Sequence, residues 1–476
     1  MGSCLGMVIA VRLFGTAGVR MRYPDELDAV AAYRLGLAMG VLGLSSCSYI
    51  VYDTRVTSHV LTYAFAAGVA ASGMDASIVG LAPTPVAGYA GLRRGGVGVS
   101  VTASHNPPEY NGFKFYDVEG FEFTRSLEER VEELVSGSLK AAEWSRAGRI
   151  LHDSTLLDDY VEDLLEASQP SRRAWSPRVV VDCANGASYH VTPVVVRSLG
   201  GIPVTVNCSP DGYFPGRPPE PRRDVLEKLL PVYRGVEPAM VLAHDGDADR
   251  LAALDPFQGF IRQDRLLALF AKILLEERKG VVVVSVDTGR VVDEVVEASG
   301  GRLERYILGK THERVKELGV GSVVMAGEPW KLIDTSWGPW VDGVRQAALL
   351  VKLVVERGKP LARILEEEGV PDYPWDRRSY VIDPPGARMD VYKGLVEELK
   401  SRLGEPVAVI DIDGYRFEYS DDSWILVRVS GTEPKIRVYA EARSSERLKE
   451  MVDTVGAIVK EMASRRDARI ASVTIG

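Results

Sequence analysis

One stretch constrains this chain more than any other: Thr102-Ala103-Ser104-His105-Asn106-Pro107-Pro108. An apolar, β-branched run, Val97–Val101, leads into it and then breaks into a polar tip closed by two prolines. A strand that ends in a proline-locked loop holds a hydroxyl still and exposed, as a nucleophile requires. A serine beside a histidine is usually only a turn pair or a cap. Here the strand, the flanking hydroxyl and the prolines together single out Ser104, with His105 beside it. Lys114 follows within Asn111-Gly112-Phe113-Lys114-Phe115.

A second polar tip, His244-Asp245-Gly246-Asp247-Ala248-Asp249-Arg250, ends the apolar run from Ala239 to Ala243. Its aspartates fall at i, i+2 and i+4, and in an extended segment such side chains share one face. Carboxylates held that close repel by about 4 kcal/mol per pair at 4 Å and an effective dielectric of 20. Arg250 offsets only part of this. A divalent cation resolves the rest, and an oxygen-only ligand set favours Mg²⁺ over zinc. An EF-hand would need glycine at 250 and glutamate at 256, where the chain has Arg250 and Pro256. Gly309-Lys310-Thr311 fails as a P-loop because Glu304 stands where the upstream glycine belongs.

A third cluster runs from Arg428 through Ser430, Gly431 and Thr432 to Arg437. Two arginines, two hydroxyls and a glycine-freed backbone amide suit a phosphate dianion. Near the start, Phe14-Gly15-Thr16-Ala17-Gly18-Val19-Arg20 carries two well-spaced glycines that let backbone approach a ligand. Arg20 there reads equally as an anion contact or as a surface arginine.

At 476 residues the chain exceeds one hydrophobic core, and roughly three or four domains are expected. Apolar strands alternating with helices over the first three blocks predict mostly parallel α/β sheets, whose polar strand ends gather ligand. From about Pro371 the pattern changes to hairpin-spaced strands, Trp424 to Val429 and Ile436 to Ala440, with helices at Met389 to Leu403 and Glu446 to Arg465, an α+β module. The expected divisions are 1–150, 151–256, 257–370 and 371–476. The glutamates of Ser126 to Leu139 read as a solvated helix face.

A net charge of −9 argues against nucleic acid as the main partner, while leaving room for a local basic pocket. The cysteines at 4, 47, 183 and 208 show no CxxC spacing and read as reduced thiols of a cytosolic protein. The opening apolar residues, with a first strand expected over 8–14, lack the charge and cleavage features of a secretion signal. No window of about 18 apolar residues predicts a membrane span, so the expected location is cytoplasmic.

With these motifs in this order over nearly the whole chain, the sequence resembles the α-D-phosphohexomutase family. The resemblance implies three related α/β domains and a smaller α+β domain around a central cleft. It implies that Ser104 carries a phosphoryl group and, with Asp245, Asp247 and Asp249, ligates Mg²⁺, with Arg250 alongside. Lys114 falls where the family has a candidate general acid/base, and Arg20 where an arginine meets the site. Arg428 to Thr432 corresponds to the phosphate-binding loop and Gly327-Glu328 to the start of the sugar-binding loop. The implied activity is interconversion of sugar 1- and 6-phosphates through a phosphoserine and a sugar bisphosphate, which also serves as activator, in a monomer or homodimer.

The family's sugar loop usually continues into serine or asparagine, glycine and often histidine. Here it reads Glu328-Pro329-Trp330-Lys331-Leu332, with Lys331 as the next polar group. That leaves glucose, mannose, glucosamine and pentose phosphates open. A metal-dependent sugar phosphatase or bisphosphate synthase would use the same parts. A non-catalytic sugar-phosphate-binding paralogue tends to lose the serine or an aspartate, and none is lost.

Overall fold

The computed structural model describes residues 13–15, 18–430 and 434–475. Internal packing divides the chain into two compact units. One comprises Met1–Leu266 and His312–Glu368, the other Leu267–Thr311 and Gly369–Gly476.

The first unit begins with β1 (Val19–Arg22), α1 (Ala29–Leu42), β2 (Cys47–Tyr52), α2 (Ser58–Ala71), β3 (Asp75–Leu81), α3 (Pro85–Arg94), β4 (Val97–Val101), β5 (Tyr110–Tyr116), α4 (Arg125–Ser136) and β6 (Ile150–His152). Their sheet has the order β1-β5-β4-β2-β3-β6. Strands β4, β2, β3 and β6 run parallel, and β5 lies antiparallel to both β4 and β1. Helices α1 and α2 approach closely because both carry a glycine at the crossing. A Cβ at Gly36 would lie 2.0 Å from Phe65 O, and one at Gly68 2.0 Å from Tyr33 O. Phe65, Phe113, Phe115, Val99 and Val101 fill the core beneath. Tyr52 pairs with Val101, so the polar tips that follow β2 and β4 leave the sheet side by side. Of the strand expected over 8–14, residues 8–12 lie outside the described residues; Phe14 forms an isolated bridge with Val19.

A second sheet follows helix α5 (Leu156–Glu166). It consists of β7 (Arg178–Asp182), α6 (Val191–Ser198), β8 (Ile202–Val206), β9 (Met240–His244), β10 (Leu251–Asp255) and β11 (Gly259–Phe260), in the order β11-β10-β9-β7-β8. It is parallel around β7 and antiparallel from β9 onward. The unit also holds the hairpin of Val323–Glu328 and Lys331–Asp334, and the helix Gly343–Arg357 capped by Asp342.

Three sequence expectations change here. Residues 245–249 are not extended: His244 pairs with Leu251, so the segment is the connection of a hairpin, with Ala248 at a left-handed φ of 59°. Cys183 and Cys208 are not reduced thiols but a disulfide joining the ends of β7 and β8. Spacing could not reveal it, because the sheet brings together residues 25 apart. The glutamates of α4 are not all solvated. Glu128 is buried, and one Glu132 oxygen accepts the backbone N–H of both Leu13 and Phe14 at 2.9 Å.

In the second unit, Val281–Ser285 and Arg302–Tyr306 pair in parallel, with helix Arg290–Ala298 between them in sequence. The C-terminal part is an antiparallel sheet of Ala408–Ile410, Tyr415–Glu418, Trp424–Val429, Lys435–Glu441, Trp375–Asp383 and Arg469–Ile475, in that spatial order. Helices Arg388–Arg402 and Ser445–Ser464 close its core with Leu395, Leu399, Val455 and Ile458 against Tyr380, Phe417 and Val427. The expected mixed α/β segments and α+β C-terminal segment are present. No helix among the described residues is long and apolar enough to cross a membrane.

Candidate active site

Every residue of β4 is buried, and Thr102 turns the chain out of the sheet. Thr102 Oγ1 accepts the Ser104 N–H at 2.7 Å, and Ser104 adopts a left-handed φ of 52°, unusual for a residue other than glycine. Arg55, buried at the tip after β2, holds the loop in that shape. Its Nη1 donates to Pro107 O (2.6 Å) and Tyr110 O (2.8 Å), and its Nη2 to Ser104 O (2.9 Å) and Asn106 O (2.7 Å). Its Nε donates to Asp53 Oδ2 at 2.9 Å, and that oxygen also accepts from Thr102 Oγ1 at 2.7 Å. All five guanidinium donors are thereby used. In the sequence, Asp53-Thr54-Arg55 is no more than a polar strand tip. Its one signal was a charged pair at the end of a buried parallel strand.

The Ser104 hydroxyl was expected to be exposed, yet the residue is buried. The cause is the β9–β10 connection lying over it: a Cβ at Gly246 would come 2.7 Å from Ser104 O. Ser104 Oγ donates to Asp245 Oδ2 at 2.7 Å. Lys114, buried on β5, sends its Nζ between Asp247 (2.7 Å) and Asp249. Thr84, just before α3, supports Asp247 twice, with its N–H to the backbone carbonyl (2.9 Å) and its hydroxyl to Oδ2 (2.7 Å). At the base, His244 places Nε2 2.9 Å from Thr192 Oγ1 and Nδ1 3.1 Å from Arg250 O. Arg217, from the proline-rich run 211–221, donates to His244 O at 2.6 Å and pairs with Asp182. That run is an ordered support of the loop. Thr84 and Arg217 carried no sequence signal, because each works through contacts distant in the chain, and His244, though part of the second polar tip, gave no sign of its bond to Thr192.

The ligand oxygens of Asp245, Asp247 and Asp249 all lie within 4.8 Å of one another. They face the cations Lys114, Arg250 and Arg20, and Asp245 is the member on which a negative charge is least favoured. Burial first, then Asp247 and Asp249, push its carboxyl well above the carboxylate range. Burial also opposes the charge of Asp247, but Lys114 and Thr84 outweigh it and hold that carboxyl low. Burial likewise pulls Lys114 down, while Asp247 and Asp249 carry it above the ordinary lysine value. The Oδ1 atoms of Asp247 and Asp249 are buried and no described group donates a hydrogen bond to them. Buried carboxylate oxygens left so are what a hard divalent cation takes, so these residues fit a metal ion.

His105 stands with Nδ1 3.4 Å from both Ser104 Oγ and Arg20 Nη1. Burial, Arg250 and Arg20 together depress its pKa, so the imidazole is neutral. Arg20, opposite Gly112 in the β1–β5 register, has its own pKa lowered by burial and by Arg250. Arg20, Ser104, His105, Lys114, Asp245, Asp247, Asp249 and Arg250 thus form one group within the first unit. The Glu328–Lys331 hairpin adjoins it, because Trp330 O accepts the N–H of Leu251, the residue after Arg250, at 3.0 Å. Glu328 and Lys331 face each other across a two-residue turn, with Trp330 at φ 66° and Lys331 Nζ 3.6 Å from Glu328 Oε2.

Arg428, Ser430 and Arg437 belong to the second unit. Arg428 lies directly opposite Arg437 in the register, and Ser430 N donates to Lys435 O at 3.0 Å. Gly431 and Thr432 lie outside the described residues.

Sequence models of the four phosphoglucomutase/phosphomannomutase domains match this chain. Alpha/beta/alpha domain I matches residues 11–141, domain II 158–257 and domain III 262–370, and the C-terminal domain matches 384–457. A protein of Methanopyrus kandleri named "Probable phosphoglucosamine mutase" is 40% identical, over 94% of this chain and 98% of its own length. A phosphopentomutase of Thermococcus kodakarensis is 37% identical, over 95% of this chain and 99% of its own. The crystal structure of a phosphoglucomutase/phosphomannomutase family protein from Burkholderia thailandensis superposes with a TM-score of 0.83 at 26% identity, covering 95% of this chain and 97% of that one.

Proposed function

We propose, since this chain belongs to the phosphoglucomutase/phosphomannomutase family and is an intramolecular phosphotransferase, that it interconverts the 1-phosphate and the 6- or 5-phosphate of a sugar by way of phosphorylated Ser104. The observation that carries this reading is the seat of Ser104: its Oγ lies 2.7 Å from one aspartate of a cluster fit for a metal ion, on a loop fixed by Arg55.

In the forward half-reaction the P–O bond to Ser104 breaks as a bond forms to the free hydroxyl of the sugar monophosphate, and the proton that hydroxyl loses is balanced by the one the departing Ser104 oxygen takes up. The sugar bisphosphate reorients, and Ser104 Oγ then takes the other phosphoryl group. Neutral His105, with Nδ1 3.4 Å from Oγ, is the candidate hydrogen-bond partner that orients the serine oxygen. Lys114, held protonated by Asp247 and Asp249, brings positive charge to the loop and is the candidate acid/base on the other side of the transfer. Asp245, Asp247 and Asp249 would hold Mg²⁺, which supplies charge neutralisation to the transferring group. Arg20 and Arg250 add fixed positive charge, and burial of Ser104 keeps water from the phosphoryl group. In this reading Glu328 would accept from sugar hydroxyls, and Arg428, Ser430, Gly431, Thr432 and Arg437 would hold the phosphate that is not reacting.

The test is a mutase assay with Mg²⁺ and catalytic sugar bisphosphate on glucose, mannose, glucosamine and ribose 1-phosphates, with Ser104→Ala as control. Isomer formation that vanishes in the control is expected, and relative kcat/KM names the substrate. Release of inorganic phosphate without isomer would replace the mutase reading with a phosphatase.

A further inference from the structure

Arg428 does not present an open guanidinium. Its Nη2 lies 2.6 Å from Asp413 Oδ2, with both side chains largely buried. Asp413 sits in the turn between Ala408–Ile410 and Tyr415–Glu418, and Gly414 presses that turn onto the arginine. Gly414 has φ 86°, and a Cβ there would meet Val427 O at 2.3 Å and the Arg428 side chain at 2.8 Å. The Leu308 N–H, 3.2 Å from the same Oδ2, fixes the carboxylate further. Meanwhile Arg428 Nε is buried and no described atom accepts from it. Arg437 stands opposite in the register, adding a second guanidinium to the neighbouring strand. A partly buried arginine fork with one donor on a carboxylate and a buried Nε unmet is arranged for a further anion.

We infer that Asp413 is an internal stand-in for phosphate, an affinity-determining residue that competes with the ligand for Arg428 and keeps the phosphate grip weak. The inference rests on the reading of Arg428 to Thr432 as the phosphate loop. Its logic comes from the reaction. A bisphosphate that must turn end for end has to release whichever phosphate the loop holds, once in every turnover. A grip of two arginines with no competitor would hold it too long. A carboxylate already seated on Arg428 reclaims the arginine as the phosphate leaves, so release does not strand a buried charge.

The experiment measures binding of inorganic phosphate and of glucose 6-phosphate by calorimetry. It uses the full chain, Asp413→Asn, Asp413→Ser and Arg428→Gln, alongside turnover and melting curves. Removing one charged competitor from a partly buried arginine is expected to tighten phosphate binding by about tenfold in both Asp413 variants. KM should fall and kcat should fall with it, a split that simple loss of structure would not give. Arg428→Gln should lose the binding. If Arg428→Gln binds like the parent, the phosphate-loop reading fails and the inference with it. If Arg428→Gln loses binding while both Asp413 variants bind as the parent or more weakly, the loop reading stands and the inference is overturned. If both Asp413 variants melt early without tighter binding, Asp413 is a support of the turn and nothing more.

Discussion

Ser104 is held by its backbone more than by its side chain. Arg55 alone supplies four hydrogen bonds to carbonyls of residues 104, 106, 107 and 110, and its fifth donor meets Asp53. A lysine has three donors on a single point charge and cannot span such a fork. Arg55→Lys is therefore expected to lower kcat by about a hundredfold with a smaller change in KM, because the loop loses its shape while the sugar contacts remain. Arg55→Ala, which leaves Asp53 as an unpaired buried carboxylate, should cost about 3–5 kcal/mol in urea denaturation. A wild-type kcat in Arg55→Lys would mean that the prolines alone hold the loop. At this scale the sequence was informative where chemistry clusters along the chain. Ser104-His105 and the aspartates at alternate positions could be read from spacing. The supporting roles of Arg55, Thr84 and His244 could not, since their bonds to Ser104, Asp247 and Thr192 join residues 49 to 163 apart.

Among the elements, the pattern of apolar strand, polar tip and helix was legible because burial on both faces of a parallel strand leaves a continuous apolar run. The geometry of the tips was not. The aspartates converge because β9 and β10 pair and the connection curls back, not because an extended strand puts them on one face. The disulfide was equally hidden, as neither cysteine has a neighbour in sequence to betray it. Cys183–Cys208 closes a 25-residue separation, and four residues on from Cys183 the Ala187 N–H donates to Gly246 O at 2.9 Å. Its reduction is expected to cost the fold about 3 kcal/mol, read as a lower melting temperature in reductant and absent in Cys208→Ser. The Glu328–Lys331 hairpin carries a prediction about substrate choice. Trp330 O is pinned by Leu251 N and by Gln346 Nε2 (3.1 Å), so the ammonium of Lys331 stays beside Glu328. A second ammonium at that place is disfavoured, and glucosamine phosphate should be a poorer substrate than neutral hexose or pentose phosphates. Lys331→Met should narrow that gap by about tenfold in relative kcat/KM, a modest charge effect at a partly buried site. A preference for glucosamine phosphate in the parent, unchanged in Lys331→Met, would refute this.

Across the whole molecule, several of the charged groups proposed to meet ligand are already answered from within the chain: Asp247 and Asp249 by Lys114, Glu328 by Lys331, Arg428 by Asp413. An isolated buried charge costs several kcal/mol, so a chain with this many unpaired ones would have little stability left before ligand arrived. Internal pairing removes that cost and turns ligand binding into an exchange of partners. Lys114 gives the sharpest test, because it sits where a cation's charge is wanted. With Lys114 in place, chelating Mg²⁺ from the parent should lower its melting temperature only slightly, since the ammonium keeps two carboxylates paired. In Lys114→Met the metal-free protein should lose about 3–5 kcal/mol, as Asp247 and Asp249 lose the ammonium between them and keep only the less direct charges of Arg250 and Arg20. Saturating Mg²⁺ should restore most of that loss through preferential binding to the folded state. The same variant should bind Mg²⁺ more tightly than the parent, having lost its internal competitor, yet turn over far more slowly, having lost its candidate acid/base. A Lys114→Met protein equally stable with and without Mg²⁺ would show that the aspartates are held by something other than charge.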